Sequence, residues 1–317
     1  MKNILIISLS VAFILSACTS VAQAIQTVSP VPFNEPQQGS VTFDSSKTGS
    51  AEKEITYCQM DGVDLKMDVY YPDQYSARPW PVVMYVHGGA WQKGDKNEGA
   101  GSRAIPALRA SGFLVVAVDY RLAPTYKFPA QIEDVQCAVR SLRANASRFH
   151  LDPEKIGVWG GSAGGHLVAL LGTAANKPEW KVGEYLDQSS RVQAVVDMFG
   201  PADLSVEFDT SNFQTARVVF GARNGSDPKL INASPVNYVD STDAPFLILH
   251  GDQDNVVPLE QSQLLFKQLQ QYGVESKLVI VQGAGHGFVR AGDQPINPGL
   301  SETNRQIVEF FIKHLKG

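Results

Sequence analysis

A serine between two glycines is the feature of this sequence with the clearest potential for chemistry. Gly160 and Gly164 flank Ser162; the preceding segment, 155–159, is predicted as a short strand, and the following segment, about 163–173, as a helix. A serine in a tight strand-to-helix turn needs neighbours without bulk, which the glycines provide. The pattern therefore predicts a nucleophile elbow that holds the Ser162 hydroxyl at the edge of a sheet.

A pair of adjacent glycines, Gly88 and Gly89, follows the apolar segment 81–86. Adjacent glycines let backbone N–H groups approach a ligand closely, and N–H groups at the start of a helix point toward negative charge. Together with the N–H of Ala163, this pair is predicted to form an oxyanion hole beside the serine. Alone, the glycine pair would indicate only a tight turn, and its combination with the elbow favours the oxyanion hole.

Two later loops offer an acid and a base. The loop 250–258 has the pattern H-G-x-x-D-x-x-V-P, which favours Asp254 as the acid, with Asp252 orienting the turn. His286 lies in a glycine-rich loop that could reach the serine, and an imidazole is the usual general base near neutral pH. The chain order Ser162, Asp254, His286 is the order found in α/β-hydrolases and differs from that of chymotrypsin and subtilisin.

Four other histidines, at positions 150, 166, 250 and 314, are interpreted as structural. Arg121 and Asp134 are predicted to form an ion pair that braces the loop between them. Both are interpreted as scaffold.

Composition limits the classes of function. With 317 residues, 44% of them hydrophobic, the chain is long enough for one large α/β domain or two small ones. A net charge of −5 leaves no basic surface of the kind that binds nucleic acid. Since the sequence contains no C-x-x-C motif and no cysteine–histidine cluster, zinc binding and redox chemistry are not indicated.

Strand and helix patterns alternate along the chain, which predicts one α/β domain with a mostly parallel twisted sheet and helices on both faces. A hairpin comes first, with its turn at Asp61-Gly62, and continuous apolar runs indicate buried parallel strands. The predicted strands are 55–58, 63–71, 81–86, 113–118, 155–159, 192–198, 245–249 and 277–281. The predicted helices are 131–148, 163–173, 260–271 and 302–315.

The walls of a substrate pocket are harder to locate. Three aromatic residues near the predicted catalytic loops are candidates for its lining: Trp91, Trp159 and Phe288. The segment 202–243 is predicted as a small cap insertion over the site, and its apolar contacts would come from Phe208, Phe213 and Phe220.

The first 24 residues have the pattern of an export signal, with a lysine at position 2 and an apolar run at 4–15. The segment 15–18 resembles a bacterial lipobox, so Cys18 is predicted to be lipidated and to become the mature N-terminus. An A-x-A site at 22–24 is the alternative cleavage site. The lipobox is favoured because it directly follows the apolar run.

The segment 25–52 is rich in Pro, Ser, Gln and Gly and is predicted as a flexible tether, and 53–317 as the hydrolase domain. The predicted location is therefore the bacterial cell envelope, where a lipid anchor is the only expected contact with a membrane. The alternative is a soluble periplasmic or secreted protein.

Two further cysteines, Cys58 and Cys137, could pair in an oxidising compartment or remain apart as buried thiols. Cys58 lies in a predicted strand and Cys137 in a predicted helix, and their spacing does not indicate that they meet. Separate buried thiols are therefore favoured.

Several motifs together resemble the hormone-sensitive-lipase-like α/β-hydrolases and, within that group, the bifunctional feruloyl and acetylxylan esterase family. The resemblance extends from about residue 55 to residue 315 and implies the α/β-hydrolase fold and ester hydrolysis without a cofactor. One departure is Ala90, where many relatives have a third glycine; we expect it to change the pocket wall more than the chemistry. The motifs are 87–91, 120–124, 128–131, 160–166, 199–203 and the two loops that carry Asp254 and His286.

The sequence thus predicts a serine ester hydrolase that acts through an acyl-enzyme, with acetyl or feruloyl esters on plant polysaccharide fragments as its substrates. A general short-acyl carboxylesterase is the main alternative. An arylformamidase and a noncatalytic surface-binding protein are further alternatives. A binding protein would not need all three residues of the predicted triad.

Overall fold

The computed structural model describes residues 43–175, 177–207 and 213–317. The predicted export signal, Cys18, most of the predicted tether and Phe208 lie outside the described residues. Within those residues, no helix combines the length and the hydrophobicity that crossing a bilayer requires.

An eight-stranded sheet forms the centre of the fold, with the strand order β1-β2-β4-β3-β5-β6-β7-β8. β2 pairs antiparallel with both β1 and β4. Every further pair in this order, from β4-β3 to β7-β8, is parallel. The strands are β1 (Ala51–Met60), β2 (Val63–Tyr70), β3 (Trp80–Val86), β4 (Leu114–Val118), β5 (Leu151–Gly161), β6 (Ala194–Met198), β7 (Phe246–Gly251) and β8 (Ser276–Val281).

Helices cover both faces of the sheet. Those that pack into one apolar cluster include α2, α4 and α8, and those that pack into the second, opposite cluster include α1 and α9. The α-helices of the described chain are α1 (Ile105–Ala110), α2 (Ala130–Ala144), α3 (Ala146–Phe149), α4 (Ala163–Thr173), α5 (Leu204–Glu207), α6 (Phe213–Thr215), α7 (Pro228–Asn232), α8 (Leu259–Gln271) and α9 (Leu300–Leu315). A π-helical turn, Ala216–Phe220, continues α6.

The continuous apolar runs are explained by these two layers. Along β3, Val82, Met84 and Val86 belong to the first cluster, while Val83 and Tyr85 belong to the second. Successive side chains of a strand point to opposite faces, so a strand covered on both faces must be apolar at every position. The predicted α/β class with a mostly parallel sheet is therefore confirmed.

The boundaries of several elements differ from the prediction. The predicted helix 131–148 is divided at Asn145 into α2 and α3, and the short helix α1 was not predicted. Ordered structure also begins before residue 53: Phe43 packs edge-on against Trp80 with ring centroids 5.0 Å apart, and β1 begins at Ala51. The predicted tether therefore ends earlier than residue 52, because aromatic contacts fix its last residues.

The ion pair between Arg121 and Asp134 is present and buried. Arg121 Nε donates to Asp134 Oδ1 over 2.9 Å, and the backbone N–H of Arg121 donates to Asp134 Oδ2 over 2.8 Å. Both side chains are less than 5% exposed. The pair fastens the loop after β4 to α2, as the sequence predicts.

Cys58 and Cys137 form a disulfide, so the expectation of separate buried thiols is wrong. Cys58 lies on the inner face of β1, and helix α2, which carries Cys137, packs on that strand. The sequence pattern predicts both elements but not that α2 covers the hairpin. The contact arises from the tertiary arrangement alone, across a separation of 79 residues.

We expect the double substitution Cys58→Ala and Cys137→Ala to lower the free energy of unfolding by about 2–5 kcal/mol, because the disulfide restricts the unfolded chain. Urea unfolding without reductant measures this loss. A reductant should destabilise the parent protein by a similar amount and leave the variant unchanged. Equal stability of the two proteins in oxidising buffer would contradict the prediction.

Candidate active site

Three polar residues meet at the carboxyl edge of the sheet. Ser162 follows β5, Asp254 follows β7 and His286 follows β8, so parallel strands bring their loops to one edge. His286 Nε2 lies 3.0 Å from Ser162 Oγ, and His286 Nδ1 lies 2.8 Å from Asp254 Oδ2. The structure therefore joins the three predicted catalytic residues in one chain of hydrogen bonds.

The turn at Ser162 has an unusual backbone. Its φ of 57° and ψ of −123° are rare for a residue with a side chain and typically cost about 1–3 kcal/mol. The serine N–H donates to Met198 O over 2.9 Å, which holds the turn against β6. A Cβ at Gly164 would lie 2.1 Å from Val86 O, and one at Gly160 would lie 2.6 Å from the Gly164 carbonyl. Both glycines are thus required by close packing around the serine.

Asp254 is fixed as an ionised acceptor. Its side chain is fully buried, and Oδ1 accepts the N–H groups of Val256 and Val257 over 2.9 and 3.0 Å. Burial favours the neutral acid, but hydrogen bonds from His250, His286 and the Val257 N–H outweigh it and hold the pKa of Asp254 well below its usual range. Asp254 therefore presents a negative charge to His286.

Asp252 links two loops of the site. Its Oδ1 accepts the Gly283 N–H over 2.8 Å, so it joins the loop that carries Asp254 to the loop that carries His286. Of the two acids in this loop, only Asp254 contacts the histidine in the described structure.

Two other histidines near the site, His250 and His166, are buried supports. His250 Nε2 lies 2.8 Å from Val257 O, and its Nδ1 lies 2.7 Å from Ser262 Oγ, which braces the loop around Asp254 from behind. His166 Nε2 lies 2.7 Å from Ala233 O, and burial lowers the pKa of His166 to about 4. His250 Nε2 also lies 3.5 Å from Asp254 Oδ2, whereas the His166 ring takes no part in the chain of hydrogen bonds that begins at Ser162.

The predicted oxyanion donors lie around the serine. Gly88 and Gly89 line the same cavity as Ser162, and Ala163 is the first residue of α4. A Cβ at Gly88 would lie 2.8 Å from Gly161 O, and one at Gly89, where φ is 109°, would lie 2.0 Å from Lys93 O. Glycine is therefore required at both positions. Without side chains, the backbone N–H groups of this loop can approach a substrate oxygen.

A cavity of about 580 Å³ opens beside Ser162 and His286. Apolar side chains from Tyr85, Phe199 and Val256 line it together with the charged residues Lys93 and Glu98. The Phe199 ring lies 5.0 Å from the His286 ring. Sequence reasoning missed these lining residues, although Phe199 belongs to one of the motifs that carry the family resemblance.

None of the three aromatic residues predicted to line the pocket does so. Trp91 packs inside the fold against His166 and Phe220, with ring centroids 5.1 Å away in both cases. Trp159 is fully buried on β5 and donates its indole N–H to Gly101 O over 3.0 Å. The third residue, Phe288, is buried against Phe199, 4.9 Å between ring centroids.

The described part of segment 202–243 does not contribute to the wall of this cavity. Phe220 lies in the interior against Trp91 and Phe128, and Phe213 packs at the edge of the same cluster. Because Phe213 and Phe220 pack against the core, the prediction that they cover the site is wrong for these two residues. Phe208 lies outside the described residues.

Asp197, at the carboxyl end of β6, is a buried acid that the sequence did not single out. Its Oδ1 accepts the Gly200 N–H over 2.9 Å, and its Oδ2 has no hydrogen-bond partner among the described residues. Burial raises the pKa of Asp197 to about 6, against the opposing effects of the Gly200 hydrogen bond and of His250. The folded protein therefore holds a proton that the unfolded chain releases at lower pH.

This difference predicts a pH-dependent effect of Asp197→Asn. An unfolded aspartate titrates near pH 4, so the stability that the Asp197 proton provides is lost as pH rises from about 4 to 6. Asparagine keeps the acceptor for Gly200 and cannot ionise. We expect equal free energies of unfolding near pH 4 and a variant that is about 2–3 kcal/mol more stable at pH 8.

Urea unfolding of both proteins at the two pH values measures this prediction. A variant that is less stable than the parent at pH 8 would show that ionised Asp197 does not destabilise the folded protein. A constant difference across the pH range would also contradict the prediction.

The parts of the chain that the structure describes contain no group of three or more His, Cys, Asp or Glu side chains arranged to hold a metal ion. The chemistry available at the site is that of a serine hydroxyl with an adjacent imidazole, a buried carboxylate and backbone donors. This arrangement can transfer an acyl group.

Several known proteins are similar to this chain in sequence and in fold. The sequence profile of the BD-FAE family matches residues 67–269. Esterase LipC of Mycobacterium tuberculosis is 34% identical over 231 residues, which is 70% of this chain and 56% of LipC. The chain spans about half the length of the curated relatives it matches first, 45–56%.

Two solved structures are similar over most of the chain. A truncated carbohydrate esterase from gut microbiota superimposes with a TM-score of 0.71 and 28% identity, covering 87% of this chain and 99% of that one. A butyrate-bound thermophilic esterase, Est2 of Thermogutta terrifontis, has a TM-score of 0.69 and 28% identity, covering 83% and 94%. With the match over residues 67–269 and the parallel sheet, these similarities confirm the family resemblance: the chain belongs to the BD-FAE family and has the α/β-hydrolase fold.

Proposed function

We propose that the protein hydrolyses carboxylic esters through a covalent acyl-enzyme on Ser162. The observation that carries this proposal is the continuous chain of hydrogen bonds from Ser162 through His286 to Asp254 at the wall of an open cavity. Similarity to LipC and to the esterases of solved structure supports the same reaction.

The first half of the reaction forms the acyl-enzyme. Ser162 Oγ attacks the ester carbonyl carbon while His286 Nε2 takes the hydroxyl proton. The carbonyl oxygen becomes an oxyanion, which accepts hydrogen bonds from the backbone N–H groups of Gly88, Gly89 and Ala163. When the tetrahedral intermediate collapses, the alcohol oxygen leaves with the proton from His286.

The second half repeats these steps with water. His286 takes a proton from water as the water oxygen attacks the acyl carbon. When the second tetrahedral intermediate collapses, the bond to Ser162 Oγ breaks, His286 returns the proton to Oγ and the carboxylic acid leaves. Asp254 keeps the proton of His286 on Nδ1, so that Nε2 is free to accept, and it stabilises the imidazolium that forms.

The substrates that we propose are acetyl or feruloyl esters on plant polysaccharide fragments. Family membership and the similarity to a carbohydrate esterase support this choice. The cavity also combines the aromatic rings of Tyr85 and Phe199 with the polar groups of Lys93 and Glu98, a combination suited to a sugar ester. The butyrate bound by Est2 favours the alternative, a general short-acyl carboxylesterase.

Export and lipidation at Cys18 remain part of the proposal. The disulfide between Cys58 and Cys137 supports an oxidising location, since such bonds persist mainly outside the cytosol. Metabolic labelling with a radioactive fatty acid, with Cys18→Ala as the unlabelled control, tests the lipid anchor directly.

The experiment that tests the substrate class compares acetate release from acetylated xylo-oligosaccharides with hydrolysis of methyl ferulate and p-nitrophenyl acetate. Higher kcat/KM for the sugar or ferulate esters, lost in Ser162→Ala, is the expected result. Turnover of the activated nitrophenyl ester alone would instead favour the general carboxylesterase. A serine-reactive organophosphate should label Ser162, which excludes a noncatalytic binding protein.

A further inference from the structure

A second cavity, of about 550 Å³, lies at the edge of the sheet opposite to Ser162. Trp80, the first residue of β3, and Asp152, the second residue of β5, both line it. Ser162 follows the last residue of the same strand β5, which is 11 residues long. Leu151 and Gly160 of β5 pair with Trp80 and Val86 of β3, so at about 3.3 Å per residue of β3 the two cavities lie roughly 20 Å apart.

The aromatic wall of this second cavity is exposed. The Tyr75 side chain lines the cavity and is 55% exposed, although a tyrosine ring is normally largely covered. Its ring lies nearly parallel to that of His150, at an interplanar angle of 13°, and edge-on to Trp80, at 88°. These contacts fix the orientation of Tyr75 and leave a flat apolar surface open to solvent.

An unpaired donor lies in the same wall. Trp80 is only 2% exposed, and its indole N–H has no hydrogen-bond acceptor among the described residues. A buried N–H without an acceptor is unfavourable by about 1–3 kcal/mol, so native proteins rarely contain one. The N–H is itself covered, so the Trp80 ring reports on a ligand in the cavity through its surroundings and not through a hydrogen bond.

The remaining polar groups of the cavity are mainly donors. Arg78 and Lys155 line it and take part in no ion pair within the described part of the chain, and Lys316 lines it as well. Asp152 is the one carboxylate among the lining residues. On a chain whose net charge is −5, this excess of cations selects a ligand that carries negative charge.

From these features we infer that the second cavity binds a carbohydrate chain that carries a uronate group. The C–H face of a sugar ring packs on Tyr75 beside Trp80, and the uronate carboxylate pairs with Arg78 or Lys155. The choice of carbohydrate rests on the proposed function, because the site would hold the same polymer whose esters Ser162 cleaves.

Binding can be measured without any ester chemistry. The parent protein is titrated with a glucuronate-substituted xylo-oligosaccharide that carries no ester, while the indole N–H signals of its four tryptophans are followed by NMR. Trp80→Phe, which keeps an aromatic ring in this wall, assigns the Trp80 signal. We expect that signal to move with saturation, and Tyr75→Ala to weaken binding at least tenfold.

Matched controls separate the contributions. Tyr272→Ala removes another exposed tyrosine, far along the chain, and should leave the affinity unchanged. The double substitution Arg78→Gln and Lys155→Gln should weaken binding of the glucuronate-bearing oligosaccharide. Its affinity should fall to that of an oligosaccharide of equal length without glucuronate. A stationary Trp80 signal, or unchanged binding in Tyr75→Ala, would overturn the inference. Equal affinity of the parent for both oligosaccharides would overturn the assignment of a uronate.

A kinetic comparison distinguishes failure of this inference from failure of the proposed function. In Tyr75→Ala, we expect KM for acetylated glucuronoxylan to rise several-fold while kcat/KM for p-nitrophenyl acetate stays the same, because the small ester does not reach the second cavity. Equal KM values for the polymer would count against the inference. A parent protein that binds the oligosaccharide but cleaves no sugar ester would refute only the proposed substrate.

Discussion

Ser162→Ala should lower kcat for any ester that the protein hydrolyses by roughly 10⁶-fold, as expected when the nucleophile of a serine triad is removed. The substitution removes only Oγ, which lies 3.0 Å from His286 Nε2, and leaves no other hydroxyl in that position. The backbone donors at Gly88, Gly89 and Ala163 would remain, so a small residual rate over water is expected.

The same substitution should leave the fold intact. Alanine keeps the Cβ and the backbone N–H, so the contact with Met198 O and the positive φ of 57° are retained. Thermal unfolding of the two proteins should coincide within a few degrees, and organophosphate labelling should disappear. Hydrolysis that survives in a folded Ser162→Ala protein would show that the proposed mechanism is wrong.

Asp254→Asn should lower kcat by about 10⁴-fold. An asparagine amide can donate to His286 Nδ1, which would place the imidazole proton on Nε2, the atom that must accept the serine proton. The variant also removes the negative charge that stabilises the imidazolium. Steady-state kinetics with p-nitrophenyl acetate measure the loss, which should appear in kcat more than in KM.

Asp252→Asn is the matched control for this experiment. It changes the other acid of the same loop and retains an oxygen that can accept the Gly283 N–H, so we expect less than a tenfold change in kcat. Comparable losses in the two variants would show that the loop geometry, and not the charge at Asp254, carries the effect.

The pH dependence gives a further check on Asp254. Because hydrogen bonds hold its pKa well below the usual range, the carboxylate stays ionised throughout the pH range in which the protein would be assayed. The stability that this charge provides is present above the unfolded pKa near 4 and is lost only as pH falls below it. Protonation of Asp254 should therefore contribute nothing to the acidic limb of the activity profile, which a pH–rate profile measures.

Local sequence patterns were sufficient to predict most of the sheet and the residues of the triad. Each of the eight strands overlaps a predicted strand. The buried central strands are unbroken apolar runs, and the Asp61-Gly62 turn marks the more exposed hairpin. Ser162, Asp254 and His286 each lie in a loop whose glycine and proline spacing is itself local, and parallel strands necessarily bring such loops to one edge.

Features that depend on which face a residue occupies could not be predicted in this way. Trp159 precedes the elbow by three residues, yet the alternation of side chains along β5 directs it into the core beneath α9. The disulfide depends on α2 crossing the hairpin, and no pattern within either element encodes that contact. Phe220 is likewise held by the interior, since Trp91 and Phe128 surround it.

Among the described residues β1 is an edge strand of the sheet, and this position has a consequence for self-association. An edge strand exposes unpaired backbone groups that can pair with the same strand of another copy and start aggregation. In β1, Glu52, Lys53 and Glu54 place three charges in succession, and the register with β2 shifts between Glu52 and Ile55 and again between Thr56 and Cys58. A charged and irregular edge is a poor template for a second strand, so this end of the sheet should resist growth into intermolecular β-structure.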